Sequence, residues 1–433
     1  MPDPITQVTF QNAGVLTLQG GFTTFGQTFR AGDLMPGRQL LAAIGGQLVP
    51  VQVDVRNTHP DGSVKMAVLT LQRPALSPWQ EVTATLLAGD PAAPSAAVSL
   101  PQALAGHSAS LTLAIEDGRA PLTIDIGTAV AQAIANRTAS FWQQGPYATQ
   151  ARVEIPVENS SMRVVLDVTG YADGEIRFTV GLNNDRAMEA VGGRLNYVAT
   201  VTLDGATVFK QGLSHAQYQR VSLDFASSEA HGIQGLGAPQ KGWLNIKHDI
   251  EYLKSTGAIF QFDTKFVANP GSLRHYYEQV ANNPQWGEIF WNHEVQPSMG
   301  IAGGRPDIGF TTAPNAYWIT SQDAAAAAYA LGQAKVAGYV PWNFYDMANG
   351  TVLTTEHYPR LWTDGRGGTG TPGNRASTGL TQQVSGDTGW GPDRAHQPDL
   401  SFIPYLLTGE RWIYDLSLIH ISEPTRLLSI SYA

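Results

Sequence analysis

Apolar and polar residues alternate in short runs along the first part of the chain. Val8-Thr9-Phe10, Gln47-Leu48-Val49-Pro50-Val51-Gln52-Val53-Asp54-Val55 and Val64-Lys65-Met66-Ala67-Val68-Leu69-Thr70-Leu71 show the pattern. A period of two puts every second side chain on one face, which predicts half-buried strands. His59-Pro60-Asp61-Gly62 separates the two longer runs, and Asp-Gly between alternating segments predicts a hairpin turn. Residues 88–99 are rich in Ala and Pro and read as a linker. Alternation resumes over Ser110–Ile115, Ala151–Val157, Met162–Val168, Glu175–Val180 and Tyr197–Leu203, where Asp204-Gly205 marks a second hairpin into Ala206–Phe209. That spacing predicts a β-sandwich.

After about residue 246 the period lengthens. Ile246, Ile250 and Leu253 fall at nearly helical spacing, with Gly257 as a stop. Ser321 is placed to cap a helix over five consecutive alanines, and Gly338 to end it. Leu400–Glu410 reads as a helix ending at Gly409, and residues 363–393, with nine glycines, as a long loop. The expected order is a β module, a β-sandwich, and helices that begin late and form an incomplete array.

Composition narrows the function. Hydrophobic residues make up 43% of the 433 and charged residues 15%, enough apolar material for large cores. Gly 45 and Pro 26 favour short strands with tight connections. Lys+Arg 27 against Asp+Glu 36 gives −9, so no basic footprint for nucleic acid is expected. The absence of Cys excludes disulfides, thiolate metal sites and cysteine nucleophiles. No apolar run nears the ~20 residues of a membrane span. The start, Met1-Pro2-Asp3-Pro4-Ile5, lacks the basic-then-apolar order of a secretory signal. A cytoplasmic protein or a component of a phage particle is therefore expected. No nucleophile elbow, P-loop or dinucleotide fingerprint occurs.

Residues 416–433, LSLIHISEPTRLLSISYA, resemble translated sequencing-adapter read-through of the kind found in metagenome assemblies. On this reading the tail is non-native and the natural chain continues beyond Asp415. His420, Glu423 and Arg426 are accordingly set aside as candidates.

Val49-Pro50-Val51-Gln52 followed by His59-Pro60-Asp61-Gly62-Ser63-Val64-Lys65 resembles a strand–turn–strand signature of the exo-rhamnogalacturonan lyase-like family, which includes the YetA-like proteins. Arg394-Ala395-His396-Gln397-Pro398 with Tyr405-Leu406-Leu407-Thr408-Gly409-Glu410-Arg411 resembles a helix of that family's toroid, and Gly304-Arg305-Pro306-Asp307-Ile308-Gly309 a loop entering it. Met66 stands where the family pattern has Trp. The resemblance implies a multidomain, β-then-α fold. Its parts are an N-terminal β-barrel-like domain with linker (1–100), a central β-sandwich (101–245) and a truncated (α/α) toroid (246–415). The implied activity is β-elimination at a uronosyl linkage of a pectin or rhamnogalacturonan type of acidic polysaccharide or oligosaccharide.

Such a reaction needs a group to neutralise the uronate carboxylate, a base for the α proton, and an acid for the leaving oxygen. The densest run of suitable residues is 286–318. His293 is a candidate base, Arg305 a candidate carboxylate neutraliser and Tyr317 a candidate acid; Trp291, Asn315 and Trp318 are candidate sugar contacts. A second cluster offers His357 beside Tyr358, with Trp342 and Tyr345 as substrate contacts. His396 heads a helix behind the Gly-rich loop. No metal or cofactor is expected, apart from a weak calcium option at Asp364 and Asp387. His215, Tyr218 and the His248-Asp249 pair read as structural. Two other readings stand beside the lyase. One is a phage tail or virion-associated glycan-binding protein without catalysis. The other is a glycoside hydrolase using two of Glu294, Asp307, Asp346 and Glu356.

Overall fold

A computed structural model describes residues 3–91, 93, 95–189, 191–228, 239–297, 311–354, 357–358, 388–390 and 399–421, with side chains to residue 417. His396, Arg305, Asp307, Glu356, Asp364, Asp387 and nearly all of the predicted Gly-rich loop lie outside the described residues.

The first seven strands are β1 (Asp3–Asn12), β2 (Gly21–Thr28), β3 (Gln39–Ile44), β4 (Gln47–Pro50), β5 (Gln52–Thr58), β6 (Val64–Arg73) and β7 (Glu81–Gly89). After helix α1 (Leu100–Leu104) come β8 (Ala109–Ile115), β9 (Leu122–Asp125) and helix α2 (Ile126–Ala135). Next are β10 (Ser140–Gln144), β11 (Ala148–Pro156), β12 (Arg163–Tyr171), β13 (Ile176–Asn184), β14 (Leu195–Leu203), β15 (Ala206–His215), β16 (Gln219–Ala226) and β17 (Leu244–His248). The helical part has α3 (Ile250–Ser255), α4 (Pro270–Asn282), α5 (Ala313–Ser321) and α6 (Ala324–Tyr339). The short pair β18 (Tyr345–Asp346) and β19 (Thr351–Val352) precedes α7 (Phe402–Thr408) and α8 (Arg411–Ile421).

The N-terminal strands form two antiparallel sheets, β17-β1-β7-β3-β4 and β2-β6-β5. They face each other across a core of Phe10, Phe25, Leu40, Leu69, Leu86 and Ile246. Both sheets are open, so the barrel-like expectation resolves as two facing sheets. The predicted hairpin is present between β5 and β6: Gly62 takes φ +83, its amide donates to the His59 carbonyl, and the Ser63 amide donates to Asp61 Oδ1.

The second unit is a sandwich of β10-β11-β12-β13-β16 on β15-β14-β8-β9. Val164, Leu166, Phe178 and Val180 of the first sheet meet Leu111, Leu113, Ala199 and Val201 of the second. Asp204 and Gly205, at φ +50 and +81, make the turn from β14 to β15. Helix α2 adds Ile126, Val130 and Ala133 to this core. Its N-cap is Asp125, which accepts from the Thr128 amide. Helices therefore begin inside the sandwich, earlier than the sequence pattern predicts.

Three further local expectations are corrected. Ile246–His248 is strand, pairing antiparallel with β1, and the helix starts only at Ile250 with Asp249 as its cap. Ser321 is the last residue of α5, and Asp323 caps α6 by accepting from the Ala325 and Ala326 amides. Gly338 lies inside α6, not at its end. A Cβ there would sit 2.7 Å from the Arg220 carbonyl oxygen, so glycine is needed for close approach to β16. Gly409 does end α7, at φ +72.

The outer face of the β10–β16 sheet is polar and still buried. Arg152, Asp167, Thr179 and Asp224 stand in one row across β11, β12, β13 and β16. Helices cover this face, and ion pairs bind them to it. Arg152 reaches Asp415 of α8 at 2.6 Å, Arg177 reaches Glu410 at 2.6 Å, and Lys335 of α6 reaches Asp224 at 3.4 Å. Paired charges avoid the desolvation penalty that unpaired ones would carry under a helix layer.

The helical core gathers Tyr276, Trp318, Ile319, Ala326, Ala327 and Leu406 from α4 to α7. An (α/α) toroid is not what these described helices display; they form a layer against the two β units. Among the described residues no helix is long and apolar enough to cross a membrane.

Candidate functional site

The predicted site residues fall into separate places. His293 is buried, with Nδ1 2.8 Å from the Trp291 carbonyl and Nε2 2.6 Å from the Trp286 carbonyl. Burial pushes its pKa down against those two carbonyls. Neither ring nitrogen is left for a substrate. Trp291 packs near it, with ring centroids 4.9 Å apart. Glu294 accepts from the Tyr329 hydroxyl at 2.5 Å and pairs with His275 Nε2 at 2.7 Å.

Trp318 is fully buried in the helical core. Asn315 is buried next to the α5 cap, and its Nδ2 reaches the Asp399 carbonyl at 3.4 Å. Tyr317 lies one residue away but faces elsewhere, lining an apolar hollow of about 430 Å³ with Phe260, Phe262, Phe266 and Ile319.

The second cluster sits on the far edge of the sandwich. Tyr345 lies under the Arg163 guanidinium, 3.4 Å from carbon to ring centroid, and its hydroxyl donates to Glu154 at 3.2 Å. Asp346 is buried and accepts from the Ala348 amide and the Tyr358 hydroxyl. His357 is exposed beside Tyr358, and Trp342 packs against the sandwich core. The structure does not bring this cluster and the His293 group into one cavity among the described residues.

A different site emerges where all three parts of the chain meet. A cleft of about 540 Å³ is lined by Arg56 of β5, Lys65 and Met66 of β6, Trp142 of β10, Tyr405 of α7 and Tyr414 of α8. Clefts at unit junctions, with apolar walls and a few converging polar groups, are the usual form of small-ligand sites.

Local packing sets each wall. The first two units are locked together through Asp54: its Oδ1 accepts from the Gln144 amide, while Gln52 and Gln143 amides donate to Oδ2. This fixes β5 against β10. Gly26 of β2 lets α7 lie directly on the sheet, since a Cβ there would fall 2.3 Å from the Leu406 carbonyl oxygen. Tyr405 is thereby held over Met66, whose sulfur receives its hydroxyl at 3.8 Å. Trp142 is pinned by its Nε1–H on the Gly409 carbonyl at 2.9 Å.

The aromatic rings form a continuous wall: Trp142 to Tyr414 is 5.4 Å and Tyr405 to Tyr414 is 5.0 Å between centroids. The Arg56 guanidinium lies 4.4 Å over the Trp142 ring. Among the described residues no Asp or Glu lines this cleft and neither Arg56 nor Lys65 makes an ion pair, although the nearby Asp54 carboxylate acts on Arg56 from behind the wall. Burial lowers the Arg56 pKa against the pull of Asp54. Burial likewise pushes the Tyr405 hydroxyl up to about 12.

Sequence reasoning missed this site because its residues come from five separated segments, around 28, 55–66, 142, 256–258 and 402–414. One signal pointed to it. Lys65 ends the first segment that resembles the family signature, and Tyr405 lies in another; folding puts them on one cleft. Comparison with protein-family models and with curated proteins gives no match.

Proposed function

We propose that this protein is a glycan-active protein of the polysaccharide lyase-like kind, and that it takes an acidic polysaccharide or oligosaccharide in the three-way cleft. The observation that carries the reading is the convergence of Arg56 and Lys65 on an aromatic wall that has no carboxylate among its described lining residues. Sugar rings rest on aromatic faces, and a uronate carboxylate answers Arg56 and Lys65. Neutralising that carboxylate acidifies the adjacent C–H bond, the first requirement for β-elimination at a uronosyl linkage. Tyr405, protonated at neutral pH, suits the acid that protonates the leaving oxygen. Tyr414 and Lys65 are the remaining candidates for proton removal. In the same reading, helices α3–α8 are the opening part of an (α/α) toroid, supported by the shared core of α4, α5 and α6.

One observation favours a second reading, binding without catalysis, as on a phage particle: among the described residues no imidazole lines the cleft. A single experiment separates the two. The chain is incubated with polygalacturonate and with rhamnogalacturonan. Ultraviolet absorbance follows the unsaturated uronate product, and calorimetry follows binding. Product that disappears in Arg56→Ala and Lys65→Ala supports the lyase. Saturable binding without product supports the second reading. No binding of either polymer overturns both.

A further inference from the structure

A second, more enclosed space lies between the polar face of β13 and β16 and the helices α6 to α8. It measures about 210 Å³, far more than the ~10–15 Å³ that one water needs by this kind of measure. Its wall carries Arg177, Asp224, Lys335, Glu410, Trp286 and Trp412. It shares no lining residue with the cleft.

Two features set it apart from a packing defect. First, its charges balance: Arg177 and Lys335 stand against Asp224 and Glu410, so neither an anion nor a cation is favoured as guest. Second, acceptors and donors alternate around the space. Glu410 lies 2.6 Å from Arg177, Asp224 accepts from Thr179 at 2.7 Å and meets Lys335 at 3.4 Å, and the Trp286 ring supplies an apolar face.

The geometry points to a binding site for one neutral, polyhydroxylated molecule of monosaccharide size. Hydroxyl groups both donate and accept, which suits a lining where two carboxylates stand beside a guanidinium and an ammonium. The volume admits a single ring and excludes a chain. A uronate is disfavoured, because Asp224 and Glu410 would face its carboxylate with no cation left unpaired. The two carboxyls also differ: burial pushes Glu410 up against the pull of Arg177, while Lys335 and Arg177 hold Asp224 below the usual range despite its burial.

The test is isothermal titration of the intact chain with D-galactose, D-glucose and myo-inositol, and with D-galacturonate as the charged comparison. Saturable binding of at least one neutral probe, tighter than galacturonate, is expected. Ala328→Leu projects a side chain from α6 into the space and should weaken binding at least tenfold with an unchanged unfolding midpoint. Should that variant fail to fold, Lys335→Met decides, since Lys335 is partly exposed and Asp224 keeps Arg177 as a partner at 3.6 Å; it too should weaken binding at least tenfold. The proposal is overturned if no neutral probe saturates the folded wild type. It is equally overturned if galacturonate binds more tightly, or if a folded variant binds as the wild type does.

Discussion

The guanidinium carbon of Arg56 lies 4.4 Å from the centre of the Trp142 ring, joining a strand of the first β unit to a strand of the second across the cleft. Cation–π contacts of this kind contribute about 0.5–1 kcal/mol at exposed sites and ~2 or more when desolvated. Arg56→Ala should weaken binding of an acidic oligosaccharide about tenfold, or ~1.4 kcal/mol. Trp142→Ala should do the same through loss of the platform. Calorimetry on both single variants and the double variant checks this, and strictly additive losses would show that the two residues do not act as one unit.

Asp185 should matter for stability more than any candidate site residue. It is fully buried between Arg163, at 2.8 Å, and Arg220, at 2.6 Å. Asp185→Asn takes the buried carboxylate from Arg220 and leaves Arg163 only Glu154, at 2.6 Å, and should cost about 3–5 kcal/mol, read from urea unfolding. The pH dependence has a defined sign. Although burial opposes it, the two arginines hold the Asp185 pKa below the ordinary 3.8. Its contribution is therefore complete above pH 3.8 and is lost as pH falls through the lower, folded value.

His215 and His248 predict a second loss of stability at milder acidity. Both are buried, and burial pushes each pKa down to about 4 from 6.5. His215 is held neutral, with the Tyr197 hydroxyl on Nδ1 at 2.9 Å and Nε2 on the Gln219 carbonyl at 2.8 Å. Between pH 6.5 and 4 the unfolded chain takes up protons that the folded chain refuses. Stability should thus fall as pH drops through that window, by about 3 kcal/mol per histidine. Unfolding midpoints measured across the window check it, and His215→Gln should flatten the curve. A level curve in the wild type would sink the prediction.

Gly338→Ala tests the seat of α6 on β16. The added methyl would meet the Arg220 carbonyl at 2.7 Å, and such overpacking costs about 1–3 kcal/mol. Asp323→Ala removes the carboxylate oxygen that accepts from the Ala325 and Ala326 amides at the other end of the same helix and should cost ~1 kcal/mol. Thermal unfolding of the two variants should rank glycine replacement as the more damaging.

Much of the β architecture was legible because one face of each strand meets an apolar core. Val64–Leu71 and Tyr197–Leu203 alternate cleanly, and Asp61-Gly62 and Asp204-Gly205 turn where expected. The outer face of β11, β12, β13 and β16 was not legible. Arg152, Asp167, Arg177 and Asp224 fall on the polar side of the alternation, yet helices bury them, because the partners that make burial tolerable, Asp415, Glu410 and Lys335, lie more than a hundred residues away. Ile246–Lys254 misled for a related reason: its apolar spacing fits a helix, but Ile246 is claimed by the β1 edge. His293 looked chemical because it sits among aromatics, and only the structure shows both its nitrogens on carbonyls. The cleft depends on packing between Arg56, Trp142 and Tyr405, a relation no local pattern encodes.

The pairing of β17 with β1 governs the order of assembly on the ribosome. The first sheet cannot gain its edge strand until Leu244–His248 has been made, after the whole second sandwich. At ~5–20 residues per second of synthesis, the Val8–Asn12 edge waits on the order of ten seconds with its ladder unfilled. An unfilled edge is a template for other strands. The nascent chain is thus most exposed to mispairing during that interval, and a slowed ribosome anywhere between β8 and β16 would lengthen it.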